Sequence, residues 1–189
     1  MRVELLSGDA VWLDVPAAAD IDEITRLCRH SSISEWTSMP VPYLRTDASD
    51  FVGDAVPAGW AARSPTWALR SARDADLIGM IGLVEVNELT AEIGFWLAPA
   101  QRKRGRMTAA VQLVCEFALH PTGMALHRVE WRAFVGNHAS AAVARRAGFR
   151  YEGLLRGGAV QRGRLRDCWV AGRLIGDPPG AARDWPPGI

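Results

Sequence analysis

A chain of 189 residues, 49% of them hydrophobic, can bury a sizeable core, and its length fits one domain better than two. Its 22 Lys and Arg stand against 21 Asp and Glu, a formal charge of +1, so no global field draws in nucleic acid or an anionic membrane. No apolar run approaches the ~18 residues of a membrane helix, and Glu4, Asp9 and Asp14 do not suit a signal peptide, so a cytoplasmic location is expected.

Alternation at Val11, Leu13 and Val15 predicts a first strand, stopped by Pro16. Asp20 to Glu23 then opens a helix with a capping-box pattern, whose apolar stripe is Ile21, Ile24, Leu27 and Cys28. The Ser- and Pro-rich stretch His30 to Arg45 carries Trp36, Met39 and Tyr43, which suits a loop that closes over a ligand. Trp36 and Tyr43 are its candidate substrate contacts. A short helix from Thr46 or Asp47 turns Ala48, Phe51, Val52 and Ala55 inward and ends before Pro57. Strands over 66–70, 77–86 and 91–97, joined by polar turns, form an antiparallel meander.

Met107, Ala110, Val111, Val114, Cys115 and Ala118 recur at helical spacing, so a helix spans about 105–119. A strand over 128–135 and a helix from near His138 follow, and this β-α-β-α order implies a parallel pair at the sheet centre. Residues 150–155 and 168–175 read as closing strands joined by a Gly/Arg-rich connection, 156–167. Arg162, Arg164 and Arg166 there read as a solvated basic patch at a hairpin tip. Residues 177–189, with four Pro and two Gly, read as a loose tail.

The stretch Gln101 to Ala110 reads as an anion site. Gly105 lets backbone approach a ligand closely, and the amides and positive dipole end of the helix behind it favour a phosphate. Arg102, Lys103, Arg104 and Arg106 place cations around the same point. For these residues alone a solvated basic loop explains the pattern equally well. Glu92, Gly94 and Trp96 share one face of their strand. Glu92 is the candidate general base, directly or through a water, or else a solvated carboxylate; Trp96 is a ligand contact or ordinary core. Asn137 reads as a helix N-cap, with Ser140 in the first turn. His30, His120, His127 and His138 lack metal or triad spacing, and the odd-numbered Cys28, Cys115 and Cys168 suit small buried side chains; no metal site is expected.

Two motifs in order carry a resemblance. Arg102 and Gly105 before a helix, then Asn137-His-Ala-Ser140 with Gly148-Phe149 beyond it, make residues 8–176 similar to the GNAT superfamily of acyl-CoA-dependent N-acyltransferases, in its RimJ/RimL-like branch. The resemblance implies an α/β fold of the α+β kind, a splayed mixed sheet of seven strands with about four helices, as a single domain over 1–176. It implies acetyl-CoA as cofactor, contacted by Trp96, Leu97, Arg102, Lys103, Arg104, Gly105, Arg106, Met107, Thr108, Asn137 and Ser140, with strand 91–97 along the pantetheine arm. Glu92 and Ser140 are then the candidate catalytic pair, Ser140 assisting the departing thiolate. Many relatives carry a Tyr acid four residues after that Ser, where this chain has Ala144; Ala109 also replaces a frequent Glu. The acceptor is a primary amine, on a protein N-terminus or a small molecule. A silent acyl-CoA sensor, a transferase of a longer group such as succinyl, and a nucleic-acid binder using the two Arg clusters are the competing readings. Monomer or homodimer is not fixed by any residue pattern.

Overall fold

Side chains of a strand alternate between two faces, and the alternating runs here stack into one sheet. The computed structural model describes residues 1–178 and 180–189. Its strands are β1 (Leu6–Gly8), β2 (Val11–Asp14), β3 (Thr66–Arg70), β4 (Leu77–Val84), β5 (Thr90–Leu97), β6 (Arg128–Phe134), β7 (Arg150–Gln161) and β8 (Arg164–Leu174). They form a mixed sheet in the order β1-β2-β3-β4-β5-β6-β8-β7, in which β5 and β6 run parallel and the other neighbours antiparallel. The expected central parallel pair is therefore present. The sheet has eight strands rather than seven because β1, three residues long, is too short for alternation to register.

Helices cover both faces. On one, Ile24 and Leu27 of α1 (Ile21–Cys28) and Ala48 of α3 (Arg45–Asp50) cluster with Ala68, Met80 and Trp96. On the other, Val111, Val114 and Ala118 of α5 (Arg106–Leu119) and Ala141 and Ala144 of α6 (His138–Arg146) join Trp67, Leu69, Ile81, Ile93 and Trp131. The interleaving of Ala68 between Trp67 and Leu69 is the period-two pattern sorting each strand between two cores.

Several local expectations change. The helix expected to stop before Pro57 continues through a π turn, Phe51–Ala55, into α4 (Val56–Ala61). The Val56 amide bonds back to Phe51 O, and this wider turn accommodates a proline that has no amide to offer. The extra residue also shifts the phase: Ala55 is exposed, and Val56 and Trp60 are buried in its place. A short helix, α2 (Ser31–Ser34), occupies part of the expected loop. Residues 156–167 are mostly strand, with an irregular register between Leu155 and Ala159. The tail is not loose at Trp185, which is buried against Trp131 and Tyr151 and donates its indole N–H to Phe149 O at 2.8 Å.

Asp20 does not cap α1. Its carboxylate accepts from the Ala17 amide and from Arg70 at 2.8 and 2.9 Å, while Asp14 takes Arg70 Nε at 2.9 Å. Arg70 is only 9% exposed. Burial pulls its pKa down, but two carboxylates more than offset that, so the net shift is upward. This cluster ties β2 and the entry to α1 onto β3. Arg70→Met would leave two carboxylates without their cation and should lower unfolding stability by about 3–5 kcal/mol, measured by denaturant titration.

Candidate functional site

The parallel ladder between β5 and β6 pairs Thr90–Ile93 with Arg128–Trp131 and ends there, although β5 runs on to Leu97 and β6 to Phe134. Two clefts of about 760 and 740 Å³ open at this splay. They share Trp36, Thr37, Phe95, Trp96, Asn137 and Ser140.

The first cleft is built on the basic loop. Lys103 and Gly105 both take left-handed backbone, with φ of 62° and 75°, and the loop between them curls around Arg104. Gly105 is the N-cap of α5, and a Cβ built on it would project into open space. No side chain caps this first turn, so its amides face the cleft wall with no side-chain acceptor. By contrast, α6 is capped conventionally: Asn137 Oδ1 accepts from the Ser140 amide at 3.1 Å.

The four cations divide into two kinds. Arg102 donates to Leu97 O at 3.2 Å and to Ser32 O at 3.3 Å, and burial lowers its pKa. Arg106 donates to Gln101 Oε1. Arg102 thus fastens the loop to the sheet end and to α2, and Arg106 braces it internally against Gln101. Lys103 and Arg104 have no hydrogen-bond or ion-pair partner among the described residues, and they remain the charges available to an anion. Trp96, Leu97, Met107 and Thr108 line the same cleft, and Trp96 and Met107 are at the same time buried in the core.

Ser140 stands at the junction. Its Oγ accepts a hydrogen bond from Trp131 Nε1 at 3.0 Å, which leaves the hydroxyl proton free to donate into the clefts. Ala144, one turn further, is 0% exposed, so a tyrosine there would meet packed core rather than a ligand. Gly148, φ 90°, ends α6 in the left-handed conformation and Phe149 is fully buried, a structural account of that half of the motif.

Glu92 lines the second cleft with Trp36, Met39, Tyr43, Phe51 and Cys168. Burial raises its pKa; Arg132, whose Nε is 3.5 Å from Oε2, opposes the shift, and Glu130 and Glu85 add to it. Arg132 is also bonded to Glu130, so Glu92 holds only part of its charge. Cys28, whose pKa burial pushes up to about 12, and Tyr43, also raised by burial, stay protonated and supply no base. Among the described residues no group of His, Cys, Asp and Glu is arranged to hold a metal. His30 bonds to Ser32, His120 to Thr122, and His138 stacks beside Trp169. Also among the described residues, no helix is long and apolar enough to cross a membrane.

Strand periodicity places Trp131 in the core but carries no signal that its indole reaches Ser140. Arg132, Gln161 and Arg162 are likewise neighbours of the site that no local pattern announces. Arg162 donates to Ser34 O and Met39 O and Arg166 lies over the Phe134 ring, yet Arg162 and Arg164 are exposed and Arg166 half-buried, so the hairpin tip is solvated as expected while two of its arginines also contact protein.

A family model described as an acetyltransferase (GNAT) domain matches residues 11–150. The chain is 38% identical over 96 residues to the "Putative ribosomal N-acetyltransferase YdaF" of Bacillus subtilis (strain 168). That match covers 50% of this chain and 51% of YdaF, so the chain spans about half the length of this curated relative. Its fold is similar to that of the microcin self-immunity acetyltransferase MccE in complex with acetyl-CoA and AMP, at 20% identity and a TM-score of 0.77 over 88% of this chain and 93% of that one. It is also similar to RimL, a ribosomal alpha-N-protein acetyltransferase in complex with coenzyme A, at 18% identity and a TM-score of 0.80 over 91% and 98%.

The upward shift of Glu92 carries a stability consequence. The native state favours its protonated form, so that contribution is present below the ordinary carboxylate pKa of about 4.3 and is lost as pH rises through the raised native value. Glu92→Gln removes the penalty. The variant should melt at or above the parent temperature near pH ~7 and lose that advantage at about pH 4, as read by thermal denaturation at the two pH values.

Proposed function

The chain belongs to the GNAT acetyltransferase domain family, and on that premise we propose that it transfers an acetyl group from acetyl-CoA to a primary amine by direct attack. The observation that carries this reading is the meeting of two clefts at the β5–β6 splay, with Ser140 at their junction and Glu92 in the second. A donor in one and an acceptor in the other would meet there.

The α5 first-turn amides with Lys103 and Arg104 would hold the diphosphate, and Trp96, Leu97, Asn137 and Ser140 the arm. Bound acetyl-CoA supplies the thioester. Glu92 takes the first proton from the ammonium, directly or through a water; the amine nitrogen forms the bond to the acyl carbon as the carbon–sulfur bond breaks; Ser140 donates a hydrogen bond to the departing thiolate, and the second proton lost from the nitrogen ends on that sulfur to give the free thiol. A free thiol titrates near ~8.5, so the help it needs is modest. An α-amine, with a pKa near about 7.7–8.0, suits a carboxylate base better than a lysine near about 10.4. The ribosomal N-acetyltransferase relative supports a protein amine as acceptor, for which a protein N-terminus is the form proposed, and a small-molecule amine is the alternative. A larger acyl group such as succinyl would need the same junction.

A silent acyl-CoA sensor is the second reading, favoured by Ala144 being sealed in the core. Thiol release from acetyl-CoA on adding N-terminal peptides or small amines decides between them: amine-dependent release supports the transferase, and its absence with intact acetyl-CoA binding supports the sensor.

Saturating acetyl-CoA, at about 100 times its dissociation constant, should stabilise the native state by roughly 2.7 kcal/mol. Gly105→Val forces a β-branched residue into left-handed backbone and projects carbon into the cleft, so its melting temperature should rise far less with the same ligand. Ser140→Ala should slow transfer from acetyl-CoA by about tenfold, or ~1.4 kcal/mol of barrier, and slow it much less from a thioester with a more acidic thiol. Equal slowing with both thioesters would sink the role of Ser140 at the leaving group.

A further inference from the structure

The hairpin near the end of the chain reaches back to a segment near its start. β7 and β8 meet in a two-residue turn, Arg162-Gly163, with φ of 49° and 77°. Hairpins favour this geometry and Asn-Gly fills it best, whereas an arginine carries its Cβ into a crowded region. The contacts of its guanidinium account for it: Nη2 donates to Ser34 O at 2.6 Å and to Met39 O at 3.3 Å. Beside it, Gln161 is 6% exposed. Its Nε2 donates to Glu35 O at 2.9 Å and to Thr37 O at 2.8 Å, while its Oε1 accepts from Arg166 Nη1 at 2.6 Å. The two carbonyls that Gln161 holds flank Trp36. Trp36 and Thr37 line both clefts, and Ser38, Met39 and Pro40 line the second.

We propose that Gln161 and Arg162 form a latch that fixes residues 34–39 as a wall of the acceptor cleft, so that acceptor selection is set by the β7–β8 hairpin. This rests on the N-acetyl transfer proposed above. Both are positioning residues. Without the latch the backbone around Trp36 regains freedom, and the acceptor must bear the cost of ordering it on binding. The loss therefore falls on acceptor binding. The acetyl-CoA loop is held by Arg102 at Leu97 O and Ser32 O and by Arg106 at Gln101, none of them within residues 34–39, so its affinity changes little even though Trp36 and Thr37 also line that cleft.

Arg162→Asn separates the latch from a merely structural role, because asparagine is the residue the turn prefers. A structural role predicts an equal or higher melting temperature with unchanged kinetics. The latch predicts that same melting behaviour together with an acceptor KM raised by about tenfold, kcat and acetyl-CoA affinity within about threefold, and faster deuterium uptake across residues 31–40. Gln161→Glu nearly keeps the side chain's shape and its bond to Arg166 but sets a carboxylate against two carbonyls, so it should raise KM and uptake in the same way while lowering the melting temperature. Arg164→Ala, exposed at the tip, should move none of these readouts. If the parent is active and both Arg162→Asn and Gln161→Glu leave KM and uptake unchanged, the latch alone is overturned. A parent that releases no thiol with any amine overturns the function instead, and the uptake measurement still reports whether the hairpin holds the segment.

Discussion

The termination of the β5–β6 ladder at Ile93 and Trp131 is the constraint on which the site depends. Buried backbone N–H and C=O groups require partners, so two central strands that diverge must have something between them or stand open to water. Here the gap is lined by side chains from both faces of the sheet: Trp96 from one core, Phe95 against the other, and Ser140 from the helix that follows β6. The splay also explains why two clefts meet rather than lie apart. Both clefts open where the same ladder ends, and they share lining residues there.

Charge near the gap is distributed so that little of it is free. Of the loop cations, Arg102 and Arg106 serve as fasteners, which costs the anion site two charges and gives the loop a fixed shape around left-handed Lys103 and Gly105. On the acceptor side, Arg132 is shared between Glu130 and Glu92 while Arg128 holds Glu130 and Glu152. Glu92 thus shares Arg132 with Glu130 and holds it only as a 3.5 Å ion pair, and burial keeps its proton affinity above the ordinary value. A base needs that affinity to take a proton, and a fully paired carboxylate would lack it.

Features set by local spacing were readable from the residues. The α5 stripe, the Asn137 cap and the alternation of β5 depend on neighbours within a few positions, and each stands where the pattern put it. What failed depended on distant partners or on phase. Asp20 looked like a cap because Glu23 follows at the right spacing, but Arg70, fifty residues away, captures its carboxylate. Ala55 lost its inward place to Val56 because one wide turn before Pro57 shifts every later position. The Arg162 cluster is exposed as its composition suggested, but no local rule says that a hairpin tip will also find the carbonyls of residues 34 and 39. Composition made the tail look loose, and the Trp185 indole, with the Ala182 amide donating to Arg145 O, docks it.

That indole bears on the choice of leaving-group donor. Trp185 packs against Trp131, and Trp131 holds Ser140 Oγ as an acceptor, so the hydroxyl proton is directed away from the core by a chain of contacts that begins near the C-terminus. A tyrosine at position 144 would need room on the inward face of α6, where Ala144 and Ala141 sit in the core beside Trp131 and Phe149. The same close packing that denies space to a phenol at 144 holds Trp131 in place, and Trp131 orients the serine. Small residues on that face of α6 and the orientation of the Ser140 hydroxyl at its first turn are therefore two results of one packing arrangement around Trp131.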